Sequence, residues 1–116
     1  MKKYLVFCFH TIFEDNYKKG EMEKNDFWHD ETKINAENPL EAIRCYYLQN
    51  LKWELDLNVV EQMDDIIFDS RLVDKNNCIA DEYEKELWKV NKLPLFRHDV
   101  QIHVEEIIFV PIKNIF

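Results

Sequence analysis

The stretch VQIHVEEIIFVPI, Val100 to Ile112, alternates apolar and polar side chains residue by residue as far as Glu105. A period of two belongs to a strand with one face buried, so this segment commits the end of the chain to a sheet and requires partner strands elsewhere. After the glutamate pair the apolar phase resumes one position out of step, at Ile107, Phe109 and Ile112. The slip predicts a one-residue bulge at Glu105 and Glu106, with Val100, Ile102 and Val104 facing the core and Gln101, His103 and Glu105 facing away. Pro111 suits a sheet edge or a strand end.

The partners are found at the other end of the chain. YLVFCFHTIF, Tyr4 to Phe13, is apolar at odd and even positions alike and rich in β-forming residues, which predicts a central strand covered on both sides. EDNYKKGEMEKN is charged and aperiodic and reads as a long hairpin loop. DFWHDETKINA then returns with Trp28, Thr32 and Ile34 on one face and Phe27, His29, Glu31 and Lys33 on the other, a half-exposed strand antiparallel to the first.

Helical signals occupy the middle. Asn38 as N-cap, Pro39 at the first helical position and Glu41 in the first turn predict a helix from Pro39 to about Leu51, its core stripe being Leu40, Ile43, Tyr47 and Leu51. Trp53, Leu55 and Leu57 bridge to a second start signal, Asn58 followed by Glu61. Val59, Val60, Met63, Ile66 and Ile67 then recur at helical spacing and predict a second, shorter helix. DSRLVDKNN reads as a loop with room for a short strand. A third helix is expected from about Asp81 to Lys92, with acids in its first turn, lysines near its end and Pro94 closing it. The expected fold is a single α+β domain over residues 1–116, a small antiparallel sheet of about three strands with helices packed on one face, in the order β-β-α-α-α-β.

Composition removes several classes of function. Gly20 is the only glycine and there are three prolines, so phosphate-cradling loops, nucleotide fingerprints and a nucleophile elbow have no raw material. Cys8, Cys45 and Cys78 are odd in number and form no CxxC pair, which reads as reduced core residues of a cytosolic protein. The opening MKKYLVFCFHTIF carries two lysines before an apolar run, but His10 and Thr11 interrupt it and no small-residue cleavage site follows. It reads as a strand rather than a signal peptide, and a cytoplasmic location is expected.

Four histidines invite a site. His103 and Glu105 share a strand face, His98 and Asp99 come just before, and strand pairing could bring His29 alongside, the makings of a metal-dependent hydrolase. The plainer reading is a solvated strand face, because no second set of residues with ligand spacing is visible. Cys8 and His10 are cofacial on the first strand, where a buried thiol and a hydrogen-bonded core histidine are the ordinary assignment. Neither a catalytic residue nor a cofactor is assigned.

Charge carries the most information. The chain has 23 acids and 15 bases, a net of -8, and the excess is concentrated. Glu54, Asp56, Glu61, Asp64, Asp65, Asp69 and Asp74 face only Arg71 between residues 54 and 74, so this segment supplies -6 of the -8. On the expected second helix Glu61, Asp65 and Asp69 form one row of carboxylates, which costs helix stability and suits a basic partner surface. An acidic chain is a poor candidate for binding nucleic acid directly. The expected function is a non-enzymatic protein-binding domain, a small acidic inhibitor or adaptor. It presents Glu54, Asp56, Glu61, Asp64, Asp65 and Asp69 to a basic groove of a nuclease or another nucleic-acid-handling protein. Phage and mobile-element products of the anti-CRISPR kind share this size and composition. The alternatives are the His103 and Glu105 hydrolase and a structural subunit that pairs its sheet edge near Pro111 with a copy of itself. Tyr17, Met22 and any of Trp28, Trp53 and Trp88 left outside the core would serve as interface anchors.

Overall fold

The computed structural model describes the backbone of residues 1–16 and 21–108 and the side chains of residues 1–14 and 26–108. Tyr17, Phe109, Pro111, Ile112 and the side chain of Met22 lie outside them. Among the described residues five strands and two short helices follow in the order β1 (Lys2–Asn16), β2 (Glu21–Ala36), α1 (Pro39–Tyr46), β3 (Glu61–Met63), β4 (Ile66–Val73), α2 (Glu82–Lys89) and β5 (Leu95–Glu106). One sheet takes the order β2-β1-β5-β4-β3, and every neighbouring pair is antiparallel.

The three-strand, three-helix expectation is therefore wrong, and the error sits between residues 58 and 73. A left-handed residue, Lys52 with φ 62°, stops the helical layer. Beyond it the chain forms no regular element before Glu61, with Trp53 and Leu55 buried between exposed Glu54 and Asp56. The residues read as a second helix form the hairpin β3–β4 instead. Its inward positions are Ile67, Asp69, Arg71 and Val73, of which two are charged, so the period of two is hidden in the sequence. Asp69 is buried and takes a 3.0 Å ion pair from Arg71, while the Tyr47 hydroxyl donates to its other oxygen at 2.7 Å. A carboxylate satisfied in this way can occupy a core position.

α1 forms as its signals predict. Asn38 Oδ1 accepts from Glu41 N at 2.9 Å, Pro39 opens the helix, and the chain continues as a π-helical turn, Tyr47–Leu51. Ala42, Ile43, Tyr46, Tyr47 and Leu51 are the buried positions, whereas Leu40, placed in the expected stripe, is exposed. α2 is shorter than expected. Its capping box joins Asp81 and Glu84, and none of its residues is buried.

Two further corrections concern the sheet. The hairpin loop is much shorter than expected, since the β1–β2 ladder reaches Asn16 and Glu21, and the register break lies where Ile12 faces Asp26 and Phe13 faces Lys24. No bulge occurs at Glu105 and Glu106. β5 pairs in register with β1 through Glu106, and the phase slip marks the strand's end, where Ile107 N–H still donates to Lys3 O. β1 lies between β2 and β5, as an inner strand should, but among the described residues a helix covers only one side of it. Tyr4, Val6 and Cys8 join Ile34, Ala36, the α1 residues, Trp53, Leu55, Ile67, Val73, Val100 and Ile102 in one core under α1. Among the described residues α1 is the helix that packs on the sheet, and it lies over this core.

Candidate functional site

Both faces of the sheet gather chemistry-bearing residues, and they differ in access. On the inner face a hydrogen-bonded chain links β1, β2, β5, α1 and the turn before Cys78. His98 Nδ1 lies 2.7 Å from Asn77 Oδ1, and Asn77 turns its amide nitrogen toward Leu51 O, so the ring nitrogen donates. His98 Nε2 then accepts from His10 Nδ1–H at 2.9 Å. His10 Nε2 meets Asp30 Oδ2 at 2.8 Å, and the Tyr46 hydroxyl donates to Asp30 at 2.9 Å.

Burial dominates the titration of these groups. It pulls His10 down, with Asp30 opposing, and it pulls His98 down to about 4, with the neighbouring His10 adding to the effect. Cys8 is pushed up to about 12, chiefly by burial. Trp28 stacks on His10 at 4.5 Å and Trp53 meets His98 edge-on at 4.9 Å. His10 and His98 are 3% and 2% exposed, so no substrate reaches either ring. The chain is a structural polar core that ties four elements and a turn together.

Among the described residues no helix packs on the outer face. β1 supplies Phe7, Phe9, Thr11 and Phe13, β2 supplies Phe27 and His29, β5 supplies Asp99, Gln101, His103 and Glu105, and β4 supplies Ile66 and Phe68, all brought level by the register. Phe9 is 46% and Phe27 53% exposed. Two hollows share Phe9. One, of about 480 Å³, is bounded by Phe7, Phe9, Ile66, His103, Asp64, Asp65 and Glu105. The other, of about 450 Å³, is bounded by Phe9, Thr11, Phe13, Phe27, Asp99 and Gln101. In the second hollow Asp99 is already engaged, accepting from Ser70 Oγ at 2.6 Å and from Arg97 Nε at 3.1 Å. In the first, Asp64 and Asp65 form the tip of the β3–β4 hairpin, Asp64 at φ 54°, and His103 Nδ1 donates to Asp65 O at 3.4 Å. Aromatic floor and carboxylate rim together suit a cationic side chain with an apolar stem.

The acids singled out in the sequence are thus dispersed. Glu54 and Asp56 lie on the irregular segment before the hairpin, Glu61 faces Phe68 across the hairpin, and Asp64 and Asp65 reach the rim of the first hollow. Asp69 is withdrawn into the core, so the row of Glu61, Asp65 and Asp69 does not exist. His103 and Glu105 do share a face, with Nε2 and Oε1 at 3.2 Å. His29 stands opposite Phe9, level with Gln101 and one strand beyond β1, so pairing does not bring it beside His103. Among the described residues no group of three or more His, Cys, Asp or Glu is placed to hold a metal ion, and no helix is long and apolar enough to cross a membrane. Cys45 is half-buried and Cys78 exposed, so of the three thiols only Cys8 is a core residue. Of the tryptophans, Trp53 is buried and Trp28 and Trp88 are half-buried. Compared with known families, curated proteins and solved structures, the chain finds no match.

The aromatic face was missed for a reason visible in the sequence. Phe7, Phe9 and Phe13 at odd positions of β1 read as a second buried face, whereas Phe9 is exposed and Phe7 and Phe13 are half-buried.

Proposed function

We propose that this chain is a protein-binding domain without chemistry of its own, a small acidic inhibitor or adaptor. Its open sheet face receives lysine and arginine side chains of a partner. The observation that supports this is the hollow between β1 and the β3–β4 hairpin, where Phe7, Phe9 and Ile66 lie within a rim of Asp64, Asp65 and Glu105. A surface that puts several carboxylates around apolar rings gains from a basic, partly apolar partner and repels phosphates. Proteins that present rows of Lys and Arg are chiefly those that grip nucleic acid, and a basic groove of such a protein is the target class.

The test is titration of the isotope-labelled protein with a peptide alternating Lys and Leu, followed by amide NMR, with a Glu and Leu peptide of equal length as control. The expected result is a set of shifts confined to the strands around Phe7, Phe9, Ile66 and Glu105, weakened by salt and lost in the triple variant D64N/D65N/E105Q. Shifts scattered over the whole acidic surface, or unchanged binding by the triple variant, would overturn the proposal.

A further inference from the structure

The two edges of the sheet differ in character. At one, β3 is only three residues long. At the other, β2 has among the described residues β1 on one side only, and from Asp26 to Ala36 it runs without proline, glycine or a break in register. Such an edge presents a long free row of N–H and C=O groups, the feature that proteins ordinarily blunt with a short strand, a bulge or a proline. Neither a bulge nor a proline interrupts β2 there, and the edge charges it does carry, Glu31 and Lys33, are complementary to their own copy.

We propose that β2 pairs antiparallel with β2 of a second copy of this chain, about a two-fold axis at Thr32. A two-fold axis perpendicular to the sheet keeps each side chain on its own face, so the axis must pass through a residue and pair positions symmetrically about it. With the axis at Thr32, Glu31 of each copy faces Lys33 of the other, His29 faces Asn35, and on the inner face Trp28 faces the small Ala36. The neighbouring registers fail on charge. An axis at Glu31 or at Lys33 sets that residue against itself, an axis at Asp30 does the same to Asp30, and an axis at Ile34 sets Glu31 against Glu37. Like charges directly opposite one another destabilise a strand pair, and opposite charges stabilise it. Glu31 and Lys33 are both exposed, and among the described residues neither is in an ion pair. The assembly is a continuous ten-stranded sheet, twice the five of one copy, with both open faces on the same side.

Sedimentation velocity of the full chain from micromolar to submillimolar concentration tests this, with Glu31→Lys, Lys33→Glu and the double exchange E31K/K33E, each checked for fold by circular dichroism. The wild type is expected to dimerise, and each single reversal to weaken self-association by about tenfold or more, because symmetry turns two attractive pairs into two repulsive ones. The double exchange rebuilds both pairs with their signs swapped and restores the dimer. A wild type that stays monomeric throughout, a dimer indifferent to the single reversals, or a double exchange that fails to rescue would each overturn the proposal.

Discussion

At the residue scale the inner histidines make the fold sensitive to acid. Unfolded His98 takes up a proton as pH falls through its ordinary 6.5, but folded His98 refuses it until about 4, since burial and the adjoining His10 disfavour the charged ring. Between those values the unfolded chain binds more protons, so stability falls on acidification through that window, at a slope of up to about 1.4 kcal/mol per pH unit and by about 3 kcal/mol in all. His10, also held down, steepens the loss. Urea titrations from pH 7 to pH 4 should show it. His98→Asn should start from a lower stability and decline less steeply across the same range. The thiols separate at this scale too. Cys8, pushed up to about 12, stays a protonated, buried thiol at neutral pH, while Cys78 is exposed. Alkylation of the native protein should label Cys78 and spare Cys8 until denaturant is added, as peptide mass mapping would report. None of this chain of contacts was legible beforehand. His10 and His98 are 88 positions apart, and only the central pairing of β1 with β5 makes them neighbours.

At the element scale the sequence was informative wherever a local physical signal coincided with the burial pattern. β2 alternates and is half-buried. α1 opens on Asn38 and Pro39, and Asp81 starts α2, in each case at a residue whose side chain satisfies orphan backbone donors. The hairpin β3–β4 was not legible because the Asp69–Arg71 ion pair occupies two inward positions and leaves an apolar spacing that mimics a helix. The two caps should nevertheless behave differently on mutation. α1 buries Ala42, Ile43 and Tyr46 against the sheet, so Asn38→Ala is expected to lower global stability by about 1 kcal/mol. α2 buries nothing, so Asp81→Ala should leave the urea midpoint nearly unchanged and act locally. Hydrogen exchange would show faster exchange over Glu82–Lys89 alone. A global loss from Asp81→Ala as large as that from Asn38→Ala would mean that α2 is part of the cooperative core.

At the scale of the whole molecule, the decisive property is that, among the described residues, the helical layer on the five-stranded sheet lies on one side. An antiparallel sheet can leave one face in water, but such a face is ordinarily polar. Here it carries Phe9 and Phe27 at roughly half exposure, with Phe7, Phe13 and Phe68 half-buried around them. Those rings contribute little to folding because much of their surface never leaves water, whereas Trp53, 2% exposed, fills the space under α1 and holds Asn77 O with its indole N–H. Phe9→Ser is therefore expected to cost at most about 1 kcal/mol of stability, against about 3–5 kcal/mol for Trp53→Ala. The same Phe9→Ser change should abolish binding of the Lys and Leu peptide, since Phe9 belongs to both hollows, and should raise solubility by breaking the exposed apolar patch. Paired urea and peptide titrations separate the two roles. If Phe9→Ser proves as destabilising as Trp53→Ala, the outer face is a second core that the isolated chain leaves uncovered. If stability holds and binding vanishes, the face exists for its partner, and its aromatic rings are retained for recognition rather than for folding.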